Sequence, residues 1–302
     1  MQTKIEGLSS EIKITEYLTH RFTYQTEEEW ENRILKGEIK LNSRILSQNI
    51  LVSNDDIIEF IPENFIEPEV DFNFDIVFED EYLLAVNKSG NLPVHPAGRY
   101  RKNTLITHLK DLSFDTLYLT HRIDRETSGL VLFAKDANSS SKIQSYFSKR
   151  TIYKEYLVLV HGKFPNELLA KGYQGQDENS EIRKKKKYSE NEFSNSTSVE
   201  TKFELLEYDS IKEISRISAK PKTGKIHQIR ATLCSLGYPI VGDKIYGIQE
   251  NIFLEFIKTG KVPDNFPKRQ MLHSWKLEFE HPNNSKKLSL VAELKEDFML
   301  DR

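Results

Sequence analysis

The chain has 302 residues, enough for about two domains of ordinary size. With 38% hydrophobic, 11% aromatic and 29% charged residues it has the content of a folded globular protein, which excludes a disordered or fibrous chain. No apolar run approaches membrane-spanning length, and the opening MQTKIEGLSSEIKITEYL lacks the apolar core of a secretory signal, so a cytoplasmic protein without a membrane partner is expected.

The net charge of -3 conceals an asymmetry. Residues 1–80 carry 7 Lys and Arg against 18 Asp and Glu, a balance of -11, whereas the remainder carries 36 against 28, a balance of +8. A polyanion would be drawn to the second part and repelled by much of the first. Cys234 is the single cysteine, so no internal disulfide or multi-cysteine metal site can form. The eight histidines form no HExxH pattern, and no GxGxxG or GxxxxGK[ST] stretch occurs. Chemistry by side chains alone, with no metal and no cofactor, is the expectation.

In chain order, TEEEWENRILKGEIKLN predicts a short helix with Thr26 as its N-cap, acidic residues in its first turn, Trp30 and Ile34 on one face, and Gly37 as its stop before a strand. Asn54, Asp55 and Asp56 mark a turn before a strand over Ile57 to Ile61. IPENFIEPEVDFNFD has linker composition, giving a first domain over 1–62, a linker over 63–75 and a second domain over 76–302. Two strands, 76–78 and 83–86, flank an acidic turn at Glu79 to Glu81, and KSGNLPVHPAG reads as a loop carrying Lys88 and His95.

The stretch HRIDRETSG, His121 to Gly129, lies between apolar segments at 117–119 and 130–134 that read as strands. Asp124, with Arg122 and Arg125 beside it, is either an ionised nucleophile or base, or one half of a structural ion pair. Arg125 and Glu126 look like its least specific charges. KEYLVLVHGKF alternates as a strand bearing Tyr156 near one edge. PKTGKIHQIRATLCSLGYPIVGDKIYG predicts a turn at Gly224 and a helix with Ile226, Ile229, Leu233 and Leu236 on one face. His227 and Arg230, three apart, share another face of that helix. A second carboxylate motif and a GxSxG elbow are both lacking, which disfavours a hydrolase.

Taken together, these motifs resemble the RluA-type pseudouridine synthases. HRIDRETSG is similar to their HRLDxxTSG, KEYLVLVHG to their KxYxAxVxG strand, and TGKIHQIR with LGYPIVGDKIYG to their TGRxHQIR and LGxPIxGDxxYG. VFEDEYLLAVNKSGNLPVHP and LHSWKLEFEHP resemble the family's opening and closing motifs, so the likeness runs in order over about residues 70 to 295. It implies an α+β catalytic domain with a mixed, mainly antiparallel central sheet and flanking helices, isomerising uridine to pseudouridine in RNA. The short helix-then-strands unit before it resembles an S4-type RNA-binding domain and implies a large-subunit ribosomal RNA target, transfer RNA being the alternative. A non-catalytic RNA-binding assembly factor on the same scaffold is a further one.

Carried over residue by residue, the resemblance makes Asp124 the essential aspartate, Tyr156 the active-site tyrosine and Arg230 the partner of the aspartate. It gives Arg122 the task of displacing the target base. His121, Thr127, Lys225 and His227 fall on the substrate side, and the run EIRKKKKYSE adds Lys184 and Lys185 as RNA contacts. Ser89, Lys225, Ala231, Thr232 and Ser274 depart from the family pattern. A monomer acting on RNA is the resulting expectation.

Overall fold

The computed structural model describes residues 2–22, 25–60, 67–114, 116–259, 263, 266–294 and 298. Ile61 and residues 63–66 of the expected linker lie outside the described residues. The chain divides into two compact units, Met1–Ile66 with Ile257–Gly260 and Glu67–Phe256 with Lys261–Arg302.

The first unit contains β1 (Gln2–Lys4), β2 (Ile12–Lys13), α1 (Ile14–Arg21), α2 (Glu27–Leu35), β3 (Ile39–Leu41), β4 (Arg44–Ile45), β5 (Leu51–Val52) and β6 (Ile57–Phe60). Helix α2 forms where the sequence predicts it: Thr26 accepts from the backbone N–H of Glu29, and the Glu29 carboxylate accepts from that of Thr26. Trp30 and Ile34 are completely buried against Ile14, Leu18, Ile39 and Ile58. Gly37 stops the helix in the left-handed region, with φ 71°. Helix α1 escapes the sequence reading because its N-cap, Lys13, makes no side-chain capping bond. It is held instead by burial of Ile14, Tyr17 and Leu18.

The second unit runs through β7 (Phe74–Glu79), β8 (Leu83–Lys88), α3 (Leu105–Asp111), β9 (Tyr118–Leu119), β10 (Ser128–Ala134), α4 (Ala137–Lys149) and β11 (Tyr153–His161). It continues through β12 (Glu167–Gln176), β13 (Lys186–Ser189), β14 (Thr197–Asp209), β15 (Ile214–Pro221), α5 (Gln228–Ser235), α6 (Glu250–Thr259, the last three residues of which are counted with the first unit), β16 (Leu272–Glu280) and β17 (Lys287–Val291). Residues 67–75, expected as linker, belong to this unit. The Glu67 carboxylate accepts from the backbone N–H groups of Arg101, Lys102 and Asn103 at 2.8–2.9 Å, and Phe74 already pairs with Lys88 in the sheet.

One sheet organises this unit, in the order β13-β12-β14-β15-β11-β16-β10-β8-β7, with β17 on β16 and β9 on β10. Its described pairings are antiparallel except β10 with β16, which is parallel. The expected mixed, mainly antiparallel α+β architecture is therefore present. Strand β10 is buried on both faces: Leu130, Leu132 and Ala134 pack with Ile143 of α4, while Val131 and Phe133 pack with Leu105 and Leu109 of α3. Helix α5 sets Ile229 and Leu233 on Val158, Val160, Phe203 and Ile217. Ile226 does not join that face; it precedes the helix and is half exposed.

Register across the central strands places the site. Lys88 on β8 is paired with Gly129 on β10, Gly129 with Ser274 on β16, Ser274 with Tyr156 on β11, and Tyr156 with Ala219 on β15. The motif ends HRIDRETSG, KEY and LHS therefore meet in one row. Gly129 is a residue inside β10. Its φ is 104°, and an added Cβ would lie 2.2 Å from the carbonyl oxygen of Ser274.

Candidate active site

The loop between β9 and β10 is anchored at almost every residue. Thr120 donates its hydroxyl to the carbonyl of Leu132 at 2.6 Å, and His121 Nε2 accepts from the N–H of Leu132 at 3.0 Å. The His121 ring lies 4.8 Å from that of Phe147, and burial, then the charge of Lys154, pushes its pKa down to about 3. His121, expected on the substrate side, is thus a neutral imidazole committed to the fold. Thr127 accepts from Gln270 Nε2 at 2.6 Å, and Ser128 Oγ sits 2.8 Å from His273 Nδ1. Lys88, read from sequence as a loop residue, is the last residue of β8 and completely buried. Its Nζ donates to the carbonyls of Ser89, Arg125 and Thr127, two of them in the Asp124 loop. Burial, then the charge of Arg269, pulls its pKa down to about 7. Ser89, one of the departures from the family pattern, donates to the Asp71 carbonyl at 2.6 Å.

The centre of the site is a guanidinium between two carboxylates. Arg230 Nη1 donates to Asp124 Oδ2 at 2.7 Å, Nε to Asp243 Oδ2 at 2.7 Å and Nη2 to Asp243 Oδ1 at 2.9 Å. Asp243 has no exposed side-chain surface, whereas that of Asp124 is 32% exposed. Burial alone would raise the Asp124 carboxyl, but the charge of Arg230, with hydrogen bonds from Arg230 and Gln270, holds it below its ordinary 3.8. Burial would lower the Arg230 guanidinium, and the two aspartates outweigh it and raise it. Tyr246 lies beneath the guanidinium, 5.1 Å from ring centre to Cζ. Tyr156 packs against the hydrophobic core while its phenol faces the Asp124 charge; burial, reinforced by that charge, pushes it up to about 12.

Around this centre the remaining candidates separate. Arg122 is exposed, with Nη1 3.3 Å from His95 Nε2 at the loop's outer edge. Lys225 is exposed just before α5. Lys184 is exposed and stands within electrostatic reach of Asp124, Arg125 and His227. Lys185, assigned with it to RNA, is instead paired with Glu250 at 2.7 Å. Lys186 donates to Gln176 at 2.9 Å, and Lys187 lies over the Phe193 ring. The basic run is therefore largely a set of internal ties with one member turned to the site. Arg125 and Glu126 are not unspecific either. Glu126 accepts from Arg125 at 2.7 Å and from Lys244 at 2.8 Å, and Arg125 also donates to the Tyr100 hydroxyl.

A family model described as RNA pseudouridylate synthase matches residues 82–235, just over half of the chain. The chain belongs to the RNA pseudouridylate synthase family. Its motifs resemble the RluA type, and its relatives agree. It is 36% identical over 187 residues to the tRNA pseudouridine(31) synthase of Saccharomyces cerevisiae, covering 57% of this chain and 46% of that protein. It is 30% identical to the ribosomal large subunit pseudouridine synthase C of Buchnera aphidicola, covering 86% of this chain and 83% of that one. The chain thus spans less than half the length of the yeast relative. A solved structure of human RNA pseudouridylate synthase domain containing 1 shares the fold, with a TM-score of 0.61 over 76% of this chain and 86% of that one.

Asp243, Tyr246 and Gln270 hold the site together, and the sequence reading gives none of them a role. The first two lie inside LGYPIVGDKIYG, a quoted motif, and the signal was chemical. A buried arginine has five donors, and one aspartate cannot satisfy them. Gln270 precedes the β16 motif and carries no comparable signal.

Proposed function

We propose that the chain is an RNA pseudouridine synthase, with Asp124 as its essential carboxylate, Arg230 as the group that keeps Asp124 ionised and Tyr156 as the surface on which the target uracil stacks. The observation that carries this reading is the 2.7 Å Arg230–Asp124 bond at the end of the sheet row holding Tyr156. The reaction breaks the N1–C1′ bond, turns the uracil while it is held, and joins C5 to C1′. An anionic carboxylate can attack sugar or base or remove a proton, and Arg230 favours that anion. Arg122, exposed at the outer edge of the loop, fills the space left by the extruded base. Lys184 and Lys225 contact phosphate.

Large-subunit ribosomal RNA is the proposed target, supported by the S4-like character of the first unit and by the name of the Buchnera relative. Transfer RNA is the second reading, favoured by the name of the yeast relative. We place the protein in the cytoplasm as a monomer. Pseudouridine mapping of total RNA from cells with the protein, without it, and with Asp124→Asn in its place tests the proposal. Signal lost at one or a few uridines in the last two names the RNA; unchanged maps overturn the enzymatic reading.

A further inference from the structure

Resting on that isomerase reading, we propose that His227 serves the reaction as a neutral hydrogen-bond donor. Its Nε2–H is directed to a carbonyl oxygen of the target uracil, and Tyr246 is the positioning residue that fixes this tautomer.

The backbone marks His227 first. It is the N-cap of α5, yet its φ of 55° and ψ of 19° lie in the left-handed region, and its side chain makes no capping bond. This conformation is uncommon outside glycine, although histidine adopts it more readily than most residues. The ring has a definite partner. His227 Nδ1 lies 3.0 Å from the Tyr246 hydroxyl, with the two rings at 88°. That hydroxyl, on a buried residue, already accepts the backbone N–H of Lys186 at 3.0 Å. Its own proton therefore goes to Nδ1; the reverse arrangement would leave a buried hydroxyl hydrogen unpaired. The hydrogen of the imidazole is then on Nε2.

Charged groups surround the ring on every side. Arg230 lies on its own helix, Asp124 comes from the β9–β10 loop, Asp243 and Tyr246 from the turn after β15 and α5, and Lys184 from the β12–β13 hairpin. Burial, then Arg230, holds the imidazole down at about 4, so it is neutral at working pH. A cation here would pair with Asp124 and quench it.

Neutrality suits the chemistry. Cleavage of N1–C1′ leaves the bonding pair on the uracil, spread from N1 onto its carbonyl oxygens. The same uracil must then attack C1′ through C5, and C5 afterwards loses its proton. A donor that bonds the developing oxyanion lowers the barrier. An acid that surrendered its proton would neutralise the uracil and end its life as a carbon nucleophile. A neutral imidazole polarises a carbonyl without delivering the proton.

The test uses single-turnover pseudouridine formation on total RNA from cells lacking the protein, with RNA affinity measured alongside. Wild-type protein that forms none overturns the isomerase reading and this proposal together. With wild-type active, His227→Ala should lose about 100-fold in rate at unchanged RNA affinity. His227→Gln, which keeps an N–H donor, should regain at least about tenfold of that loss. A His227→Ala rate close to wild type overturns the role of His227 alone. Tyr246→Phe removes the donor to neutral Nδ1, so the imidazole pKa rises from about 4 while burial and Arg230 still hold it below its ordinary value. Its activity should fall with decreasing pH where wild type is still on its plateau, and the His227→Gln, Tyr246→Phe double variant should lack that fall. A Tyr246→Phe profile matching wild type, or a fall that persists in the double variant, overturns the positioning role.

Discussion

Replacing Asp243 by Asn separates what holds the site together from what reacts in it. Asp243 Oδ1 accepts from Arg230 Nη2 at 2.9 Å and from the backbone N–H groups of Ile245 and Tyr246 at 3.0 and 3.1 Å, while Oδ2 accepts from Arg230 Nε at 2.7 Å. An asparagine can keep its oxygen at the three-donor position only by turning its NH2 toward Arg230 Nε, donor against donor. Opposite charges about 4 Å apart attract by about 4 kcal/mol at the dielectric that suits protein sites. Breaking a buried pair from one side costs about 3–5 kcal/mol. In a unit of this size that lowers the melting temperature by about 6–12 °C. Asp124→Asn removes the other partner of the same guanidinium, but from a half-buried position where single hydrogen bonds from Arg230 and Gln270 are at stake. Its stability effect should stay below about 1 kcal/mol, while pseudouridine formation disappears. Thermal unfolding of both variants, with pseudouridine formation measured in parallel, decides the matter. Asp243→Asn melting within about 2 °C of wild type would show that Arg230 is not held from behind by Asp243.

Lys184→Ala should weaken RNA binding and reduce the slope of log affinity against log salt by about 1; Lys185→Ala, which removes the Glu250 tie, should leave that slope unchanged. Lys88 has a folded-state pKa of about 7 against 10.5 for the free side chain, so the unfolded chain binds the extra proton between those values. Stability should therefore rise with pH across that window by urea titration, and Lys88→Met should lose this part of the slope while leaving three carbonyls without their donor. Gly129→Ala should fail to give soluble, cooperatively melting protein, since its Cβ would collide with the β16 backbone.

Much of the fold is legible because its signals are local. The Thr26 capping box, the paired strands around Glu79 to Glu81 and the alternating 153–161 strand each declare themselves within ten residues. The roles proposed for Asp124, Tyr156 and Arg230 come from the ordered motifs, which carry long-range information that periodicity lacks. What escaped depends on distance in the chain. Glu126 looks like a surface charge until Lys244 arrives beside it, and Lys185 looks like a phosphate contact until Glu250 does. Lys88 reads as a loop lysine because a lysine beside glycine and proline usually is one. Only the fold shows its ammonium enclosed by the carbonyls of the Asp124 loop.

The unequal sharing of Arg230 has a mechanistic consequence. Two of its N–H bonds go to a fully buried aspartate that also caps its own turn, and one goes to Asp124. A guanidinium held by Asp124 alone would follow that carboxylate whenever its charge or position changed. Held from behind, it stays in place when the charge or position of Asp124 changes. The charge of Asp243 opposes that of Arg230, so on the proposed reading Asp124 is stabilised as an anion without being bound too tightly to react. Glu126 and Lys244 repeat the connection two residues further along the loop and one residue beyond Asp243. The loop that carries the carboxylate and the turn that carries its counterweight are thereby joined twice, and Asp124 alone of the four carries appreciable exposed side-chain surface.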